Sequence, residues 1–202
     1  MNPADYSRRL ALGSALLILL LALSGWQPYD RLTWLMEVAP VLVLLPVLWL
    51  SRRSLPLTPL LLVLIWIHAL ILIGGGAYSY ARMPLGNWFA EVFHLSRNPY
   101  DKLGHFFQGL VPALAAREIL IRKNQVRSPG MLNFLVVCIA LAVSASYEMI
   151  EWLAALLIGQ GASDFLGTQG DIWDTQSDMF CALLGSLVTI FLLRRWQDRQ
   201  LG

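Results

Sequence analysis

The chain has 202 residues, of which 57% are hydrophobic and 14% are charged. Soluble globular domains contain about 45–50% apolar and about 25% charged residues, so this composition excludes an ordinary soluble domain. The formal net charge of +2 carries little information by itself, and we expect no nucleic-acid partner.

Six apolar runs are candidates for transmembrane helices, since a bilayer core of about 30 Å requires roughly 20 helical residues. In chain order they are about 10–26, 33–51, 57–76, 104–121, 131–158 and 177–194. The first run follows Arg8 and Arg9, as in a signal peptide, but it has no clear cleavage site and we expect a retained helix. The sequence therefore predicts an all-α fold, a polytopic membrane helix bundle with six transmembrane helices in one transmembrane domain, 1–202.

The segment 77–102 separates the third and fourth runs and is rich in aromatic residues and prolines. A loop of this length in a small protein is usually functional. Tryptophan and tyrosine favour the headgroup level of a bilayer. We therefore predict a long outer loop that lies along the membrane surface or covers a functional site.

The basic residues predict the orientation, because cytoplasmic loops of membrane proteins carry an excess of Lys and Arg. With the N-terminus in the cytoplasm, most of them fall inside: Arg8, Arg9, Arg52, Arg53, Arg117, Arg122, Lys123, Arg127, Arg194, Arg195 and Arg199. Only Arg31, Arg82, Arg97 and Lys102 fall outside. Most acidic residues fall on the outer side. The sequence therefore predicts that both termini are cytoplasmic.

Three clusters of polar residues lie at helical spacing near the predicted outer ends of the last three spans. They are Asp101, His105 and Gln108; Glu148 and Glu151; and Asp171, Asp174 and Asp178. Spacings of three, four and seven residues put side chains on one face of a helix. Ionisable residues near membrane depth indicate a functional site by default. We therefore predict one outward-facing polar pocket.

Several carboxylates in one pocket need compensation by bound metal, by retained protons, by Lys102 or Arg97, or by water. Oxygen-rich sites with histidine suit divalent metals. The predicted metal ligands are Glu148, Glu151, Asp171, Asp174, Asp178 and His105. The predicted catalytic residues are His105, Glu148 and Asp101. The predicted substrate-binding residues are Lys102, Gln108, Arg97, His68 and Tyr100.

The acidic residues also have simpler interpretations. Asp171 and Asp174 could be N-caps and first-turn acids of the last helix, where the helix dipole favours negative charge. Glu148 and Glu151 could face solvent beyond a shorter fifth span. The convergence of three clusters favours a shared site over these separate explanations.

The histidines have simpler interpretations as well. His105 could bond to a backbone carbonyl at the interface, and His68 could bond to a neighbouring helix within the bundle. Neither role would require a ligand.

Three sequence segments resemble the YjdF-type family of bacterial inner-membrane proteins, and the resemblance extends over essentially the whole chain. The segments are RNPYDKLGHF (97–106), YEMIEW (147–152) and LGTQGDIWDTQ (166–176). The resemblance implies a multi-pass location in the bacterial inner membrane and implies no particular reaction.

A weaker likeness is to VanZ-type membrane proteins, which pair an Asp-Lys-x-x-His helix entry with a glutamate and a later aspartate. Asp101, His105, Glu148 and Asp178 follow that order here. Asp171 and Asp174 are additional.

Three functions remain open at the level of sequence. The first is a metal-dependent enzyme acting on a lipid or lipid-linked substrate, in which the carboxylates hold a divalent metal and His105 or a glutamate is the general base. The second is a proton- or cation-coupled transporter, disfavoured by polar residues on one side only and by the lack of an inverted repeat. The third is a non-enzymatic membrane interaction protein, which would tolerate exchange of carboxylates for amides.

Overall fold

The computed structural model of the chain describes residues 3–158 and 168–202. The described residues are all-helical, with 83% helix and no β-strand, so the predicted all-α class is confirmed. They form seven helices: α1 (Pro3–Trp26), α2 (Arg31–Ser51), α3 (Pro59–Tyr78), α4 (Pro84–Val92), α5 (Tyr100–Arg122), α6 (Pro129–Ile158) and α7 (Asp174–Leu201). A 3-10 turn, Tyr80–Arg82, precedes α4, and Thr189–Leu193 is a π-helical stretch within α7.

Five of the described helices, α1, α2, α3, α6 and α7, are long and apolar enough to cross a membrane. They correspond to every predicted span except 104–121. That segment lies in α5, which has 23 residues but carries polar side chains near both ends. These are Asp101, Lys102, His105, Gln108, Arg117 and Glu118. Five candidate spans therefore follow from length and composition, whereas the sixth span and the orientation stay predictions.

The predicted long loop, 77–102, is largely helical. It contains the 3-10 turn and α4, and α5 begins at Tyr100. Asn98 links the end of this segment to α4. Its side-chain amide donates to the Met83 carbonyl at 2.9 Å and to Asn87 Oδ1 at 2.7 Å. A Cβ atom at Gly86 would overlap the Asn98 side chain, so a larger residue at this position would displace that amide.

The chain divides into two compact units, Met1–Asn98 and Pro99–Gly202. The prediction of a single transmembrane domain stays a prediction.

In the first unit, α3 packs against α1 and α2. The N-terminus of α2 is capped by Asp30, which accepts a hydrogen bond from the Thr33 N–H at 2.7 Å. That bond holds the pKa of Asp30 below its usual range. Indole N–H groups then tie α2 to α1, with Trp49 donating to Ser14 Oγ at 3.0 Å.

In the second unit, α5 packs most extensively against α7, and α6 packs against both. The two backbones approach so closely because glycine stands on each side of the contact. A Cβ atom at Gly109 of α5 would overlap the Ala182 carbonyl, and one at Gly185 of α7 would overlap the Phe106 carbonyl. Small residues are the usual means by which membrane helices reach this separation.

Polar side chains of α7 also bond to backbone carbonyls of α5. Thr189 Oγ1, at the start of the π-helical stretch, donates to the Leu110 carbonyl at 3.0 Å. Gln197, with no exposed surface, donates to the Leu114 carbonyl at 2.9 Å. Buried donors without partners are costly in an apolar environment, so these bonds fix how α7 is aligned along α5.

Long apolar side chains remain exposed on the candidate spans, as expected for surfaces that face lipid. On α1, for example, Leu12 is 63% exposed and Leu23 is 62% exposed. In a soluble protein such a continuous apolar surface would favour aggregation. The exposure pattern therefore agrees with the membrane location indicated by composition.

We predict that Gly109→Ala lowers the stability of the second unit by about 1–3 kcal/mol, because the added methyl group must push α7 away. Gly130→Ala is the matched control, since the atom nearest to its Cβ is Ser128 Oγ at 4.0 Å. Thermal unfolding in detergent would measure both variants. Equal midpoints for Gly109→Ala and Gly130→Ala would contradict the close approach of α5 and α7.

Candidate functional site

The candidate site lies within the second unit and is centred on His105 of α5. The His105 Nε2 atom lies 3.4 Å from Asp101 Oδ1, one turn earlier on the same helix, and 3.9 Å from Asp178 Oδ1 on α7. The Nδ1 atom lies 3.1 Å from Gln108 Oε1 and 3.6 Å from Glu148 Oε1 on α6. His105 thus contacts groups from all three long helices of this unit.

Lys102 supplies the nearest positive charge. Its Nζ atom lies 2.8 Å from Asp174 Oδ1 and 2.7 Å from Asp178 Oδ1, and it donates to Ser177 Oγ at 2.6 Å. Lys102 therefore compensates the carboxylates at the N-terminus of α7. The side chain is 22% exposed, whereas Asp178 is almost fully buried.

Asp101, His105 and Asp178 are all buried, and each offers one ligand atom within 4.8 Å of the other two. Such a group could hold a metal ion. Donors at about 2.1 Å from a tetrahedral ion stand roughly 3.4 Å apart. The His105–Asp101 distance of 3.4 Å already fits this value, and Asp178, at 3.9 Å, would have to approach slightly.

One tautomer of the His105 ring would suit a metal ligand. If Nδ1 carries the proton it donates to Gln108 Oε1, and the Nε2 lone pair then points toward Asp101 and Asp178. A hydrogen bond of this kind to the second ring nitrogen is typical of metal-bound histidine. The same geometry also accommodates a charged imidazolium between carboxylates.

α6 adds two glutamates to the site, both buried. The Oε1 atom of Glu148 is buried and accepts no hydrogen bond from any described residue. Glu151 lies three residues later on the same helix. Counting Asp101, Asp174 and Asp178 as well, five buried carboxylates lie in this part of the second unit together with Lys102 and His105.

The acids at the start of α7 have different environments. Asp174 is buried and pairs with Lys102. Asp171 lies in the turn before α7, where its Oδ1 accepts the Trp173 N–H at 2.9 Å. That bond agrees with a local structural role for Asp171. The predicted segment 166–176 begins with two residues, 166 and 167, that lie outside the described residues.

The predicted substrate-binding residues divide between the two units. Lys102, Gln108 and Tyr100 belong to α5, and Tyr100 is buried at its first residue. His68 belongs to α3 of the first unit, and Arg97 precedes Asn98 in that same unit. Their roles toward a substrate stay predictions.

Sequence reasoning missed two residues that contact this site. Ser177 receives the Lys102 ammonium, and Tyr147 lies edge-on to the His105 ring with centroids 6.1 Å apart. Ser144, one turn before Glu148, is fully buried and its Oγ has no partner among the described residues. Ser144 and Glu148 at a spacing of four residues, together with Tyr147, form a sequence signal that could have indicated this face of α6.

A family model described as "Predicted membrane protein (DUF2238)" matches residues 9–199. The chain belongs to this family. It is also 62% identical to the inner membrane protein YjdF of Escherichia coli (strain K12) over 185 residues, which is 92% of this chain and 88% of the relative. No solved structure matches the chain.

Membership of the DUF2238 family confirms the resemblance stated from the sequence segments. Together with the YjdF relative it supports a multi-pass protein of the bacterial inner membrane.

We predict that Lys102→Met destabilises the protein, because it leaves Asp174 and Asp178 without their shared cation. Removing one partner of a buried ion pair typically costs about 3–5 kcal/mol, and partial exposure of Lys102 favours the lower end. Thermal unfolding at neutral pH would measure the loss, with the exposed Lys123→Met as control.

A double variant, Lys102→Met with Asp178→Asn, should recover part of that loss, because it removes one of the two stranded charges. An unfolding midpoint for Lys102→Met equal to that of Lys123→Met would show that the ion pairs are absent.

Proposed function

We propose that the protein is a metal-dependent enzyme that acts on a lipid or lipid-linked substrate at the outer face of the inner membrane. The observation that carries this proposal is the buried group Asp101, His105 and Asp178, whose ligand atoms lie within 4.8 Å of one another. A divalent cation held there would place positive charge among buried carboxylates.

The buried acidic surroundings favour a cation at this group. Five buried carboxylates lie in this part of the second unit, and Lys102 pairs with two of them. Mixed oxygen and nitrogen ligands suit Mn²⁺, Zn²⁺ or iron.

Residues beside the proposed cation site have side chains suited to catalysis and to substrate binding. A bound cation supplies Lewis acidity and lowers the pKa of a bound water. With His105 as a ligand, the glutamate Glu148 becomes the candidate general base, because its Oε1 accepts no hydrogen bond from a described residue. Gln108 lies beside these groups, and its side-chain NH2 can donate to an anionic headgroup, whereas Lys102 is already bonded to Asp174, Asp178 and Ser177.

We also propose six spans with both termini in the cytoplasm, with α5 as the remaining span. α5 has 23 residues and would extend about 35 Å at 1.5 Å per residue, enough for the bilayer core. Its polar side chains need not face lipid, because α7 partners several of them. Lys102 pairs with Asp174, and Arg117 pairs with Asp198 near the other end.

A cation- or proton-coupled transporter is the second candidate. Buried polar residues at both ends of the α5–α7 contact favour it, since Glu118 and Gln197 are fully buried beyond the acidic site. Between these ends, however, Gly109 and Gly185 leave no room for even a Cβ atom. A continuous polar path along this contact would require the helices to separate, so we rank transport second.

We predict that purified protein binds one divalent cation per chain and that Asp101→Asn lowers the affinity at least tenfold. Titration with Mn²⁺, followed by elemental analysis and by thermal stabilisation, would measure the affinity. Glu91→Gln is the control, because Glu91 is an exposed carboxylate of α4. The proposed site would be overturned if the Asp101→Asn variant bound each of Mn²⁺, Mg²⁺ and Zn²⁺ with the same affinity as the Glu91→Gln control.

The enzymatic part of the proposal has a separate test. Wild-type protein reconstituted in vesicles of bacterial lipid extract with Mn²⁺ should convert a lipid, and Asp101→Asn should not. Mass spectrometry of the extracted lipids would detect the product. Saturable Mn²⁺ binding with unchanged lipids, accompanied by cation flux across the vesicles, would favour the transporter.

We predict that an impermeant maleimide applied from the periplasmic side labels Glu91→Cys and Ile172→Cys but leaves Lys123→Cys unlabelled. The variants would be made in a chain lacking Cys138 and Cys181. Ile172 is 86% exposed, and positions 91 and 123 flank α5. Labelling of positions 91 and 123 from the same side would show that α5 does not cross the membrane.

A further inference from the structure

A second charged site lies at the other end of α5, α6 and α7. It is a groove of about 360 Å³ within the second unit. Its lining includes Arg117 from α5, Arg127 from the α5–α6 connection, Leu132 from α6, and Arg194, Arg195 and Asp198 from α7. None of these residues belongs to the acidic site around His105.

The groove carries an excess of positive charge. Arg117 is the one arginine of the four that pairs with Asp198, through Nη2 and Oδ1 at 2.7 Å. Arg127, Arg194 and Arg195 make no ion pair or hydrogen bond with any described residue. Three uncompensated guanidinium groups around one cavity predict an anionic ligand.

Arg117 is held in position before any ligand arrives. Its Nη1 atom donates to Gln197 Oε1 at 2.9 Å, and Gln197 is itself anchored to the Leu114 carbonyl. The Nε atom of Arg117 is buried and has no partner among the described residues. Arg117 therefore contributes a fixed positive charge to the wall of the groove.

The N-terminus of α6 adds to the positive potential in the groove. The helix begins at Pro129, and Ser128 Oγ accepts the Met131 N–H at 3.4 Å. The N-terminus of a helix carries partial positive charge, which favours anions. The groove therefore combines arginine side chains with a helix terminus.

We propose that this groove binds the phosphate of an anionic phospholipid headgroup. Guanidinium groups match phosphate oxygens in bidentate geometry. Basic pockets between transmembrane helices on the cytoplasmic side bind anionic lipid headgroups. Leu132 and Val126 give the groove an apolar wall. An acyl chain can lie against these side chains, which a free phosphate could not use.

The site does not depend on the cation proposal. Its assignment to the cytoplasmic leaflet rests on the proposed orientation, since the groove lies at the predicted inner ends of the helices.

The test compares a double variant with a control that removes the same charge. Arg127→Gln with Arg195→Gln removes two exposed arginines that hold no partner in the described chain. Arg8→Gln with Arg9→Gln removes two arginines from α1, also on the predicted inner side. Native mass spectrometry and thermal shift would measure binding of short-chain phosphatidylglycerol, phosphatidylcholine and inorganic phosphate.

We expect phosphatidylglycerol to stabilise the wild-type protein and phosphatidylcholine to have little effect. The Arg127/Arg195 double variant should bind phosphatidylglycerol at least tenfold more weakly, and the Arg8/Arg9 control should change less than twofold. Unchanged binding by the Arg127/Arg195 variant would overturn the site. Equal affinity for inorganic phosphate and phosphatidylglycerol would overturn the lipid assignment.

Discussion

The close approach of α5 and α7 is the constraint on which the candidate site depends. Gly109 and Gly185 allow the two backbones to meet, and Thr189 fixes their alignment through its bond to the Leu110 carbonyl. With that alignment, side chains far apart in sequence come together, as when Lys102 reaches Asp174 across 72 residues of chain. A shift of one helix past the other would separate these charges and leave them buried without partners, which is costly in an apolar environment.

The two ends of this helix pair differ in charge. One end is acidic, with buried carboxylates around His105, and the other is basic, with the groove that includes Arg117. The ligands we propose have the opposite signs, a divalent cation at the acidic end and a phosphate group at the basic end. The same separation of charge is the sequence signal that predicts the orientation, because basic residues favour the cytoplasmic side. One arrangement of charges thus underlies both proposals and the predicted topology.

Local spacing predicts part of the site. Asp101, His105 and Gln108 were expected on one helical face, and the His105 ring lies beside both of the others. The pairing of Lys102 with α7 could not be predicted, because sequence does not show which residues of two helices face each other. The role of Gly109 in the close approach of α5 and α7 could not be predicted either, because a single glycine in a helix can be present for several reasons. Hydropathy alone does not place α5 among the candidate spans, because the polar side chains near its two ends lower the average.

The central claim is that Asp101, His105 and Asp178 hold a divalent cation. An experimental structure of the protein with Mn²⁺, using the anomalous signal of manganese, tests this most directly. The account predicts one anomalous peak between His105 Nε2 and the two carboxylates, at about 2.0–2.2 Å from each ligand atom. The absence of a peak at saturating Mn²⁺, with His105 still between Asp101 and Asp178, would contradict the claim and leave an imidazolium ion pair in its place.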